Sequence, residues 1–219
     1  MKPKLLDLFC GAGGATKGYQ QAGFYVVGVD IKPQPHYCGD EFYQADALTF
    51  PLEGYDAYHA SPPCQANTVL FPNALHHRDY GYQDCIPETR QRLITTDKPW
   101  VIENVPNARM NTVIILCGTM FGLKVFRHRL FESNIMLLQP PHIKHSGKTR
   151  KGYPANEEYK YWCITGSVGK RVGAQEAMGI DWMARKACEV SQAIPPAYTE
   201  YIGKYLMQVV MANKGIPNL

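Results

Sequence analysis

The stretch HASPPCQAN, residues 59–67, sets Cys64 directly behind two prolines at the end of an apolar run. Pro62 and Pro63 fix their own φ and bias the residues before them to extended geometry, so the thiol is presented by a stiff loop. A cysteine held this way can add to an unsaturated carbon if a neighbour stabilises the charge that develops. WVIENV, residues 100–105, ends a second apolar run in Glu103. Buried unpaired, that carboxylate costs several kcal/mol or takes up a proton, which suits it to act as an acid. The plainer reading of Glu103 is a salt bridge to a surface lysine.

DLFCGAGG, residues 7–14, places Gly11, Gly13 and Gly14 where a strand turns into a helix, so that backbone can approach a ligand closely. A mere tight turn would look the same. Thr16 stands where the dinucleotide fingerprint has its third glycine, which counts against a pyrophosphate on that helix. Asp30, one βαβ step downstream, can accept both hydroxyls of a ribose or simply cap a turn. Together they favour an adenosine-containing cofactor without a diphosphate, and S-adenosylmethionine fits.

These residues need a scaffold, and the chain supplies an alternation. Apolar runs at 4–10, 25–31, 43–46, 55–60 and 100–105 read as strands, with helix-like segments at 14–23 and 87–96 between them. Such alternation predicts an α/β fold with right-handed crossovers and a mainly parallel sheet, whose ligands lie outside the carboxyl ends of the strands. Cys10, Asp30, Asp46, Cys64 and Glu103 all fall there. After residue 110 the pattern loosens, and a long helix is expected over 196–215. A Pro-, Lys- and Gly-rich stretch, 139–158, reads as a flexible or partner-ordered loop. The segment 73–93, which mixes basic, aromatic and small residues, reads either as a mobile loop leading into a helix or as an ordinary solvated crossover.

At 219 residues, 45% apolar and 19% charged, the chain can bury one full core, and a net charge of +4 permits a nucleic-acid partner without demanding one. No apolar run approaches the roughly 18 residues of a membrane span, and the amino terminus does not read as a signal peptide, so a cytoplasmic protein is expected. Seven cysteines without CxxC pairing suit a reducing compartment. His76, His77 and Cys85 match no ligand spacing for zinc, and no metal is expected.

DLFCGAGG, GVDI, ADAL, SPPCQ and ENV, in this order and spacing, resemble the ordered motifs of the cytosine carbon-5 DNA methyltransferases. FRHR (126–129) resembles that family's arginine motif, GAQEAMGI (173–180) a later helical motif, and SQAIPPAYTEYIGKYL (191–206) the helix that returns to complete the cofactor pocket. The resemblance implies a Rossmann-like S-adenosylmethionine-dependent fold with a reduced target-recognition region: a catalytic and cofactor-binding core at 1–132, a short recognition region at 133–170 and a C-terminal helical segment at 171–219. It makes Cys64 the nucleophile that attacks cytosine carbon 6, Glu103 the acid at the ring nitrogen and amino group, and Arg129 the group holding the base or its carbonyl. Phe9 would lie against the adenine, Gly11 and the adjoining backbone near the methionine part, Asp30 on the ribose hydroxyls and Asp46 on the adenine amino group. Cys10, Ala12, Gly13, Gly14, Ile31, Ala47 and Pro63 complete the expected pocket. Arg127 would meet phosphate, and Gln65 together with Lys148, Arg150 and Lys151 of the basic stretch KHSGKTRKGY would contact nucleic acid.

The family's chemistry needs the target cytosine out of the duplex or in a single strand. Four features depart from its pattern: only about thirty residues separate FRHR from WCITG, Val125 replaces a glutamine, Asn67–Thr68 replace Phe-Ser, and AIPPAYTEYIG lacks the asparagine of the carboxyl-terminal motif, so no cofactor contacts are assigned there. Compact phage-type and prophage-type members look similar. The implied protein is a monomeric DNA methyltransferase, with a cognate restriction enzyme as a possible partner. The alternatives are the same chemistry on RNA or tRNA, and a catalytically silent DNA-binding relative.

Overall fold

The structure is a computed structural model that describes residues 1–64, 83–142, 144–145, 161–164, 173–184 and 187–215. The described elements are β1 (Lys4–Leu8), α1 (Gly14–Gln21), β2 (Tyr25–Asp30), β3 (Glu41–Gln44), β4 (Ala57–Ala60), α2 (Ile86–Ile94), β5 (Trp100–Asn104), β6 (Val113–Leu116), β7 (Arg129–Ser133), α3 (Ala174–Met178), α4 (Ala187–Gln192) and α5 (Pro196–Asn213). A short 3-10 helix, Gly118–Phe121, follows β6.

Seven strands form one sheet in the order β3-β2-β1-β4-β5-β7-β6. β1 pairs in parallel with β2 and β4, and the parallel run continues to β3 on one side and β5 on the other. β7 lies antiparallel to both β5 and β6. The fold class is therefore the expected α/β, mainly parallel one.

The central strands are apolar throughout because both faces are covered. Leu5, Val26, Ala57 and Val101 face a core shared with Tyr19 of α1 and with Tyr198, Ile202 and Leu206 of α5. Their neighbours Leu6, Val27, Tyr58 and Ile102 face the opposite core, with Ile86 and Leu93 of α2. A smaller apolar cluster joins Ala12 to Val125, Trp162 and residues of α3.

Three differences from the sequence reading have physical causes. β3 occupies 41–44 rather than 43–46, because Asp46 belongs to the turn that follows: its Oδ1 accepts the Leu48 N–H at 2.9 Å. β6 and β7 were hidden beyond residue 110, since VIIL is short and RLFES places charges at Arg129 and Glu132. Glu132 is buried and takes a bidentate ion pair from Arg90 of α2, at 2.6 and 2.9 Å, so the charge is paid for by a partner distant in sequence. The expected loop 73–82 and most of 139–158 lie outside the described residues.

Tyr198 and Thr199 lock the returning α5 to the amino-terminal half. The Thr199 hydroxyl donates to the Ala15 carbonyl at 2.8 Å, and the Tyr198 hydroxyl to the Arg127 carbonyl at 2.7 Å. Gly18 makes this crossing feasible, because a Cβ there would collide with the Pro196 carbonyl and the Thr199 hydroxyl. Gly18→Ala should therefore destabilise the protein by about 1–3 kcal/mol, read as a Tm drop of several degrees in thermal melts; an unchanged Tm would contradict this packing.

Candidate active site

The carboxyl ends of β1, β2, β4 and β5 converge on one edge of the sheet. β4 ends at Ala60, and the next four residues are Ser61, Pro62, Pro63 and Cys64. This loop is fastened from β5: the Asn104 amide donates to the Pro62 carbonyl at 2.9 Å while its Oδ1 accepts the Val105 N–H at 2.9 Å. A buried asparagine with both ends engaged holds its orientation, and the prolines pass that rigidity to Cys64. Burial pushes the Cys64 thiol up, Glu103 adds to the rise, and Arg129 and Arg127 oppose it. The thiol is thus kept protonated until the charges around it change.

Glu103 is buried, and burial raises its carboxyl above the usual range while Arg129, Ser61 and Arg127 pull it back. Arg129 Nε stands 3.0 Å from Glu103 Oε1. The approach lacks the alignment of a hydrogen bond, and Oε1 retains unmet acceptor capacity. A buried carboxyl with an unfilled valence at the mouth of a strand end is suited to an incoming donor such as a ring N–H or an amino group.

A chain of side chains runs behind it. The Tyr19 hydroxyl meets His59 Nδ1 at 2.9 Å, His59 Nε2 meets the Ser61 hydroxyl at 2.9 Å, and Ser61 in turn hydrogen-bonds Glu103. Burial lowers His59 to about 3, so the imidazole is neutral. With Tyr19 donating to Nδ1, Nε2–H donates to Ser61 and Ser61 to the carboxylate, so each member donates once.

The two arginines separate. Arg129 reaches Glu103. Arg127 does not lie where a phosphate contact was expected: it is buried, donating to the Ile164 carbonyl at 3.1 Å and the Ser191 carbonyl at 2.7 Å. Its terminal nitrogens are used to tie later chain segments to the sheet, which corrects the sequence reading. Gln65, Lys148, Arg150 and Lys151 lie outside the described residues, as do His76 and His77.

The cofactor side is built on β1 and β2. Phe9 and Gly11 adopt left-handed φ of 59° and 51°, and a Cβ on Gly11 would meet nothing within 4 Å. Asp30 pins this turn, its Oδ2 accepting the Gly11 N–H at 3.0 Å and its Oδ1 the Lys32 N–H at 2.9 Å. Each oxygen keeps a second lone pair for a hydroxyl. Ile31 is exposed, an apolar surface beside the acid, while Ala47 is buried under exposed Asp46. Arg92 of α2 fixes that third corner, donating to the Ala47 carbonyl at 2.6 Å and the Phe50 carbonyl at 2.5 Å. Gly13 and Gly14 serve packing: a Cβ would strike Cys38 Sγ at 2.8 Å and the Ile194 carbonyl at 2.5 Å, respectively. Cys10 and Ala12 are buried between them, and the Trp182 indole donates to the Ala12 carbonyl at 3.1 Å. An open cradle at Gly11, a two-oxygen acceptor and an exposed aliphatic side chain fit an adenosine with a small charged tail.

Thr16 has a specific task. Its hydroxyl donates to Asp7 Oδ2 at 2.5 Å, and burial raises the Asp7 carboxyl to about 7. Asp7, His59, Ser61, Arg92 and Asn104 were not singled out from sequence. The cue for the first was a charged residue amid a fully apolar strand.

The sequence matches no protein-family profile and no curated protein. Its structure is similar to Entamoeba histolytica methyltransferase EhMeth, at 11% identity and TM-score 0.61, over 98% of this chain and 99% of that one. S. pombe Dnmt2 methyltransferase aligns at 11% identity and TM-score 0.59, over 98% and 100% of the two chains. The chain spans 45% of a prophage-encoded DNA modification methyltransferase structure from E. coli, with 59% of its own length aligned, at 19% identity and TM-score 0.43. The full-length matches establish a Rossmann-like methyltransferase fold.

Two outcomes test the geometry. Ser61→Ala leaves His59 and Glu103 each short of a partner, so kcat should fall roughly tenfold, and the limb of the pH–rate profile that reports Glu103 should move to higher pH because a donor to its charged form is gone. A fall in kcat with the profile unmoved would show that Ser61 does not act on Glu103. Asp7 titrates near 7 when folded and near 4 when unfolded, so its contribution to stability is full below about pH 4 and is lost as pH rises through 7. In Asp7→Asn the decline of stability between pH 4 and 7 should be smaller than in the unmodified protein, by up to about 4 kcal/mol in denaturant titrations; identical slopes would refute the assignment.

Proposed function

We propose that the protein is a cytosine carbon-5 methyltransferase that uses S-adenosylmethionine and acts on DNA. The observation that carries this reading is the meeting of Cys64 with a buried, under-satisfied Glu103 and Arg129 at adjoining strand ends, beside the Gly11–Asp30 cradle. Nucleophile, acid and base-holding cation are the three groups that activation of an inert pyrimidine requires.

Phe9, Gly11, Asp30, Ile31 and Asp46 would hold the cofactor. When bound, S-adenosylmethionine supplies a methyl group on a positively charged sulfur that leaves as a neutral thioether. Cytosine carbon 5 is too electron-poor to take that methyl unaided. Cys64 gives up its proton to solvent and adds as thiolate to carbon 6, while Glu103 shares a proton with the ring nitrogen and so offsets the electron density pushed into the ring. Carbon 5 then bonds to the methyl, loses its proton to solvent and expels Cys64, and the ring nitrogen returns its proton to Glu103. Arg129 holds the carboxyl in place and opposes the rise in the Cys64 thiol. The base has to leave the helix stack to reach this recess, at a cost of a few kcal/mol. The basic stretch 144–153 is assigned to phosphate, and a cytoplasmic monomer is the simplest setting.

Tritium transfer from labelled S-adenosylmethionine to DNA and to tRNA tests the reading. Label on carbon 5 of DNA cytosine is expected; label on tRNA alone would move the substrate to RNA, and label on neither, with no adduct on DNA carrying 5-fluorocytosine, would make the chain a silent binding relative. Cys64→Ser should abolish turnover while leaving cofactor binding near normal, and a turnover loss below tenfold, ~1.4 kcal/mol of barrier, would contradict the nucleophile.

A further inference from the structure

The arginine motif has a second face. Side chains alternate along the extended approach to β7. Arg127 and Arg129 lie on the side where their charges act on Cys64, whereas Phe126 and His128 both meet His145. Phe126 stacks on the His145 ring with centroids 3.8 Å apart and planes 8° from parallel, and Tyr161 stacks on the far side of Phe126. The imidazole of His145 is thus held in one plane. The chain reaches this place by running back past β6, where the Ile115 N–H donates to Gln139 Oε1 at 2.8 Å and the Tyr201 hydroxyl to the Leu138 carbonyl at 2.8 Å.

Four ligand-type groups converge there. Cys117 lies just after β6, His128 just before β7, and His142 and His145 three residues apart on the returning segment. Their donor atoms all lie within 4.8 Å of one another. His145 Nε2 is 2.8 Å from His142 Nε2 and 3.4 Å from Cys117 Sγ, and His128 hydrogen-bonds Cys117. A hydrogen-bonded network explains this poorly, because a single ring nitrogen carries at most one proton and cannot donate to both a nitrogen and a sulfur. A tetrahedron about zinc, with nitrogen at 2.0–2.1 Å and sulfur at about 2.3 Å, has edges of about 3.3–3.6 Å, a span that includes the 3.4 Å between Cys117 and His145 and lies between the 2.8 Å of the two histidines and the 4.8 Å that bounds the cluster. Cys117 is buried and receives the Thr119 hydroxyl at 3.5 Å, a contact of the kind that orients metal thiolates.

We propose that Cys117, His128, His142 and His145 bind one Zn²⁺ as a closed, four-ligand structural site. The donor set, one soft thiolate with three imidazoles, favours zinc over the oxygen-seeking divalent ions. On binding, Cys117 releases its proton to solvent and four metal–ligand bonds form with no change of oxidation state. Four protein ligands leave no open position, so the ion's task is to tie the β6–β7 connection to the start of the basic stretch 144–153. The ion would thereby also steady His128, the residue between the two arginines. The site stands independently of the methyltransferase reading, since metal binding can be measured without any substrate.

Protein expressed without a histidine tag and dialysed against metal-free buffer should retain one zinc per chain by inductively coupled plasma mass spectrometry. After chelation, added Co²⁺ should produce a thiolate-to-cobalt charge-transfer band and the visible bands of tetrahedral cobalt, both displaced by Zn²⁺. Cys117→Ser should remove the charge-transfer band, and Cys64→Ser should keep it. His142→Ala, at an exposed position that the fold does not need, should weaken Zn²⁺ binding at least tenfold in competition with a chromophoric chelator. Absence of zinc and of the cobalt spectrum in the unmodified protein would overturn the proposal. So would a band lost with Cys64 rather than Cys117, or Zn²⁺ affinity unchanged in His142→Ala.

Discussion

A carboxyl buried at the end of a central strand must be met by donors, and the arrangement around Glu103 follows from that requirement. Arg129 supplies a nearby positive charge, Ser61 a hydrogen bond, and His59 and Tyr19 hold Ser61 in place. Apart from that of His59 with Ser61, two residues on, these contacts join residues distant in sequence. They exist because β4, β5 and β7 are neighbours in the sheet, which brings residues about seventy apart in the chain to a common recess. Sheet order is thus a chemical fact here as well as a structural one. Because Oε1 of the carboxyl is left with unmet capacity, this well-braced group still has something to offer a substrate.

The two sides of the recess are rigid for different reasons. On the Cys64 side, prolines and a doubly engaged Asn104 remove freedom from the loop. On the Gly11–Asp30 side, left-handed residues and the Asp30 carboxylate shape a turn in which the Gly11 and Lys32 N–H groups are already satisfied. α5 closes the design from behind, since its hydroxyls bind carbonyls of α1 and of the arginine motif together. The last helix of the chain therefore bears on both halves of the site.

Much of this was legible in the sequence. The parallel strands, the glycine turn and the Cys64 loop follow from local rules of proline, glycine and apolar runs, and apart from the shift of β3 to 41–44 the structure has them close to where those rules put them. What stayed hidden involves partners distant in sequence. Arg127 looks like a phosphate ligand because arginines usually face water, yet carbonyls of Ile164 and Ser191 await it inside. β7 was obscured by Glu132, whose charge is answered by Arg90 some forty residues earlier. Thr16 read only as a missing glycine, whereas its hydroxyl serves Asp7. In the same way Cys117 and His128 carry no recognisable spacing, and only the fold reveals that they face His142 and His145.

Trp182 donates its indole N–H to the Ala12 carbonyl, in the middle of the glycine turn, and Lys17 sits over the same ring at 5.9 Å. An indole whose only polar atom is anchored to this turn is sensitive to any shift of it. Under the proposed function, Trp182 would therefore act as an optical reporter of the Gly11–Asp30 turn, with no label attached.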